Sequence, residues 1–150
     1  MLADDDTARF ITAKGRGLSE AEAWSETAWL IGHWQLLGFG MFVVEDRSTG
    51  DFIGRVGPLR PPWWPDLEIA WSLAPSARGK GYATEAARAA IDWSFETLAL
   101  ARIVSIIDPR NRSSRRVAER LGQRPTGETF TPFRDPCDVW EIRRRDWEAA

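Results

Sequence analysis

Cysteine and histidine are nearly absent from the chain: 150 residues carry one of each, Cys137 and His33. A lone cysteine excludes an internal disulfide framework and any cysteine-based metal cluster, so no metal is expected and a reducing compartment, the cytoplasm, is the expected setting. Cys137 and His33 lie far apart without a nucleophile signature around either. Cys137 therefore reads as a buried or loop thiol, and His33, on an aromatic-rich helix, as a packed histidine. No apolar run approaches the ~20 residues of a membrane span. The acidic start Met1-Leu2-Ala3-Asp4-Asp5-Asp6 also lacks the basic and apolar regions of a signal peptide. An excess of either charge is missing as well, since 20 Lys and Arg are scattered among 22 Asp and Glu for a net charge of -2. No nucleic-acid partner is expected from such a balance. The one basic triplet, Arg143-Arg144-Arg145, adjoins Asp146 and Glu148 and reads as a solvated terminus.

What remains is a globular composition, 43% apolar and 28% charged with nine tryptophans, in a chain of single-domain size. Residues 1–150 are read as one domain without repeats, linkers or low-complexity tracts. Ser19 and Glu22 have capping-box spacing, and the apolar residues after them recur at helical intervals, predicting a helix over 19–35. Apolar runs at 39–45 and 51–59, separated by a turn-rich loop, predict a hairpin. Three prolines between Arg60 and Asp66 exclude that stretch from a sheet. A strand over 67–73 follows, with Leu67, Ile69, Trp71 and Leu73 on one face and Glu68, Ala70 and Ser72 on the other. Periodicity then predicts a helix over 83–98, a strand over 103–107, a helix over 111–121 closed by Gly122, and strands over 126–131 and 138–143. The expected fold class is α/β, with a mixed and mostly antiparallel sheet.

Arg78-Gly79-Lys80-Gly81-Tyr82-Ala83 lies between a strand and a helix start. Glycines let main-chain amides approach a ligand closely, and a helix N-terminus adds free donors and a positive dipole end. The segment reads as an anion cradle, or as a plain glycine turn that starts a helix. A Walker loop needs Ser or Thr after Gly-Lys; Gly81 stands there, which disfavours a nucleotide triphosphatase.

These residues resemble the pyrophosphate loop of the GNAT acyltransferases, Arg/Gln-x-x-Gly-x-Gly/Ala, with Arg78, Gly81 and Ala83 at its fixed positions. Downstream, Asn111 to Gly122 resembles the Asn-x-x-Ser and Val-x-x-x-Leu-Gly signature of the branch that includes the ribosomal-protein N-terminal acetyltransferases. The resemblance implies acetyl-CoA as co-substrate, an amine as acceptor, and pantetheine running between splayed parallel strands at 67–73 and 103–107. It implies a cofactor site at Leu73, Arg78, Gly79, Lys80, Gly81, Tyr82, Ala83, Thr84 and Asn111, with Arg78 and Arg88 read either as phosphate partners or as surface charge. Asn111 is at the same time an N-cap candidate. An attacking amine must first lose a proton. Glu68, the sole carboxylate inside the strand leading to the loop, is the candidate base; a solvent-facing or arginine-paired glutamate is the other reading. Ser114 is the candidate proton donor to the departing thiolate, or a residue that only orders the cofactor. The branch's other base position falls near Phe133, with Glu128 the nearest acid.

The acceptor side is expected on the helix at 19–35 and the loop at 60–66, where Trp29, Trp34, Phe39, Trp63 and Trp64 are candidate lining residues. Trp34, Trp63 and Trp64 are taken as the substrate-binding set. Related chains begin with a strand and a helix ahead of the segment matching residues 4–12, so the fold is expected to lack that first pair. The strand at 39–45 then becomes an exposed edge, covered either by a second copy in a homodimer or by the N-terminal segment. Two functions stay open: an acetyl-CoA:amine N-acetyltransferase, and a CoA-binding module of the same fold without catalysis.

Overall fold

The computed structural model describes residues 1–149. Six strands form one sheet in the order β1-β2-β3-β4-β6-β5. They are β1 (Phe42–Glu45), β2 (Phe52–Leu59), β3 (Glu68–Leu73), β4 (Arg102–Ile107), β5 (Arg124–Phe130) and β6 (Cys137–Arg143). Every neighbouring pair is antiparallel except β3 and β4. The helices are α1 (Asp5–Ala8), α2 (Glu20–Leu37), α3 (Tyr82–Leu98), α4 (Arg112–Arg120) and α5 (Arg144–Glu148), with a 3-10 turn at Pro75–Ala77. The mixed α/β sheet and the order of its main elements match the sequence expectation.

The differences lie at the ends of elements. The helix begun by the Ser19–Glu22 capping box runs to Leu37 and closes on Gly38, whose φ of 75° suits glycine alone. The next strand therefore starts at Phe42 rather than at 39. β5 starts at Arg124, and the short α1 and α5 were not anticipated; α1 begins where the Asp4 carboxylate accepts from the Thr7 amide at 2.7 Å.

Strand alternation sets the two faces of β3. Leu67 and Ile69 pack with Ala87, Ala90, Ile91 and Phe95 of α3, and with Ile103 and Ile142, to make the main core. The other face carries Glu68, Ala70 and Ser72 into a cleft bordered by α2. β1 is an edge strand with Val43 65% exposed, as expected. The N-terminal segment does not pair with it among the described residues; Thr7 and Asp4 instead engage Arg78.

Candidate active site

β3 and β4 touch at a single register pair, Glu68 with Val104, and then part. Main-chain groups freed by this parting would be costly if left unpaired. Side chains take them up: the Ile106 amide donates to Glu68 Oε1 at 3.2 Å, and Ser105 Oγ donates to the Ile69 carbonyl at 2.8 Å. Gln123 Nε2 in turn donates to Ser105 Oγ at 3.0 Å. The result is a wedge-shaped opening whose apex is the Glu68 carboxyl.

Glu68 is 8% exposed and has no cationic partner among the described residues. Burial disfavours its charged form and pushes the carboxyl up to about 7, against the opposing pull of the Trp64 and Ile106 donors. Trp64 Nε1 donates to Glu68 Oε2 at 2.5 Å. The Trp64 ring is itself fixed by edge contacts with Trp63, Phe130 and Phe133. His33 anchors the same loop to α2: its Nε2 accepts from the Arg60 amide at 3.1 Å, while its Nδ1 donates to the Phe39 carbonyl at 2.8 Å. This is a packed histidine, as its sequence setting suggested.

Glu68, Trp63, Trp64, Asn111 and Ser114 all border one cleft of about 540 Å³. Asn111 caps α4, its side chain accepting from the Ser114 amide at 3.1 Å. Ser114 Oγ accepts from Trp71 Nε1 at 3.3 Å, which leaves the hydroxyl hydrogen free to donate. Cys137 also borders the cleft, but burial and the acids around it push its thiol up to about 11. A thiol kept neutral is a poor nucleophile.

The cofactor-loop residues lie outside that cleft, on the exposed stretch that follows Leu73 in the chain. Gly79 and Gly81 have φ of 76° and 91°, and a Cβ on either would meet nothing within 4 Å. Among the described residues, no acceptor pairs with the amides of Gly79, Lys80, Gly81, Tyr82 or Ala83, while Thr84 and Glu85 already bond back to Gly81. Open space above a row of unpaired donors at the start of α3 fits a phosphate group.

The side chains of several expected residues are engaged elsewhere, and the place of Trp34 is corrected by this geometry. The Leu73 side chain packs with Ile53 and Ala77. Tyr82 donates its hydroxyl to Asp46 at 2.9 Å. Arg78 is held by Thr7 and lies 3.7 Å from Asp4, while Arg88 stacks over Trp147 at 5.0 Å. Each guanidinium is thus engaged by another segment of the chain. Trp34 does not border the cleft: its Nε1 donates to the Met41 carbonyl at 3.0 Å, and its ring meets Phe42 edge-on. Phe39 packs against His33 and the core, and Glu128 is exposed on β5.

Sequence reasoning missed the cleft's N-terminal wall, residues 10–14, together with Glu22, Glu26 and Arg55. The α2 contribution had a readable signal. Glu22, Ser25, Glu26, Trp29 and Leu30 recur at helical spacing on one face; Trp34, although it continues that spacing from Leu30, turns to Met41 and Phe42 instead.

A sheet opened between two parallel strands, with a glycine-cradled helix start after the first and a capped helix after the second, defines an acyltransferase-like architecture. Residues 1–124 match the acetyltransferase (GNAT) domain family, and the chain belongs to it. It is 35% identical over 106 residues to the uncharacterised protein YkkB of Bacillus subtilis, covering 69% of this chain and 61% of that protein. The chain thus spans about three-fifths of that relative's length. An acetyltransferase from Agrobacterium tumefaciens superposes with a TM-score of 0.77 at 32% identity, over 95% of this chain and 84% of its own. The aminoglycoside acetyltransferase AAC(6')-Ib, solved in complex with coenzyme A, shares the fold at 19% identity with a TM-score of 0.79, over 99% and 88% of the two chains.

Proposed function

We propose that the protein is an acetyl-CoA-dependent N-acetyltransferase that acetylates a primary amine, with Glu68 as general base. The observation that carries this reading is a buried carboxylate without a counter-cation, set where β3 and β4 part and aimed into the cleft shared with Ser114. A base pushed up to about 7 is matched to neutral pH, where it can accept a proton from an ammonium and later release it. The amides of residues 79–83 are suited to hold the pyrophosphate and Asn111 the pantetheine arm, and acetyl-CoA supplies the activated thioester. Glu68 would take one proton from the acceptor ammonium and so expose its lone pair; the C–N bond would form as the thioester C–S bond breaks, and the surplus proton on nitrogen would pass to water. Ser114 Oγ offers its hydrogen to the departing sulfur, a modest aid because a thiolate leaves readily.

The cytoplasm is the setting we assign. A second copy against the β1 edge, beside exposed Val43, is the partner we assign to that surface; a monomer by light scattering at micromolar concentration removes that assignment. The function is tested by acetyl-CoA thiol release across amino acids, polyamines, aminoglycosides, arylalkylamines and peptides. Amine-dependent release is expected. Saturable acetyl-CoA binding with no release for any amine would instead mark a CoA-binding module without catalysis.

A further inference from the structure

Four acidic residues border the cleft, and three of them are already neutralised by the chain itself. Glu22 is gripped by Lys14 and by Arg16 at 3.0 Å, and it also accepts from the Ser19 amide. These partners, Arg16 first and Lys14 next, hold its carboxyl well below the usual range. Glu26 pairs with Arg55 at 2.8 Å, and the Arg55 side chain is only 13% exposed. Asp108 pairs with Arg110 at 2.6 Å. Among the described residues, Glu68 alone of the four has no cation beside it. The rest of the wall is mostly apolar, with neutral polar side chains such as Ser105, Asn111 and Ser114 on it, and the part adjoining Glu68 includes the aromatic group of Trp63, Trp64 and Phe133.

A molecule with several ammonium groups needs several unpaired carboxylates, because each extra cation that loses water without a partner is costly. This cleft offers one. Aromatic faces, by contrast, reward a flat apolar body and tolerate one nearby cation. We infer that the acceptor is a monoamine, with its single ammonium at Glu68 and an apolar, flat body against Trp63, Trp64 and Phe133, rather than a polyamine or an aminoglycoside. This rests on the acetyltransferase reading above and narrows its substrate class.

The test compares kcat/KM for 2-phenylethylamine and tryptamine with that for spermidine and kanamycin, using purified full chain and thiol release, with acetyl-CoA binding followed separately by calorimetry. The expected result is at least a tenfold advantage for the arylalkylamines. Equal or better turnover of either polycation overturns the inference while leaving the acetyltransferase reading intact. Bound acetyl-CoA with no turnover of any amine overturns both. Arg55→Gln frees the Glu26 carboxylate and should narrow the advantage by raising spermidine turnover, whereas Glu26→Gln leaves Arg55 unopposed and should widen it. Both variants are checked for folding by their melting temperatures. An unchanged ratio in two folded variants would show that charge pairing does not set the choice, and the inference falls.

Discussion

The proposed cofactor arm and the proposed acceptor arm of this site are built from opposite materials. Residues 79–83 are main chain and largely exposed, and the loop is shaped by two glycines in left-handed conformation. The Glu68 arm is side chain, buried, and shaped by strand parting and aromatic packing. Water competes freely for the amides of the first arm, so its selectivity rests on geometry. In the second, exclusion of water does the chemical tuning, and one carboxyl changes its ordinary acidity as a result.

The sharpest way to break this contrast is Glu68→Gln. General-base loss should cut kcat by about 10²–10⁴-fold and abolish the acid limb of the pH profile near 7. Acetyl-CoA affinity should stay unchanged in calorimetry. If kcat and the limb both survive, the base lies elsewhere. Next in size is Gly81→Val, which places a β-branched residue at φ 91° where space is open but the backbone is strained. A strain of about 1–2 kcal/mol should weaken acetyl-CoA binding roughly tenfold while leaving the Glu68 limb in place. An altered limb would mean that the two arms are not separable.

Stability supplies a third test. Glu68 has a folded-state pKa raised above its unfolded value, so the neutral form is favoured by folding; its contribution is fully present below pH 4.5 and is lost as pH rises to about 7. The loss corresponds to about 3 kcal/mol. Melting temperatures should fall across that window in the parent chain, and the fall should be smaller in Glu68→Gln. Trp64→Phe removes a donor that favours the carboxylate, so the acid limb should move upward. Ser114→Ala is the smallest change: a few-fold in kcat, measured with a thioester of poor leaving group to enlarge the effect.

The two arms also differed in how far the amino acids announced them. Arg78 to Ala83 and Asn111 to Ser114 are contiguous motifs, and the helix starts they predicted are present at Tyr82 and Arg112. The period-two pattern around Glu68 placed Leu67 and Ile69 on the core face, where they pack against α3. What was not readable depends on side chains brought together from distant segments. Arg55 meets Glu26, Arg78 meets Thr7, and Phe133 meets Trp64, pairings that no local spacing encodes. Trp34, expected on the acceptor side, instead bonds to the Met41 carbonyl and packs on Phe42, contacts between a helix and a distant strand that helical spacing does not encode.

The hydrogen bond from the Ile106 amide to Glu68 Oε1 has a use outside catalysis. A main-chain proton bound to a titrating oxygen experiences the change in that oxygen's charge directly. The Ile106 amide resonance should therefore drift with pH through the same midpoint as the carboxyl. It gives a label-free spectroscopic reporter at the apex of the cleft, readable with no substrate present and able to register how a bound acceptor or cofactor alters the proton affinity of Glu68.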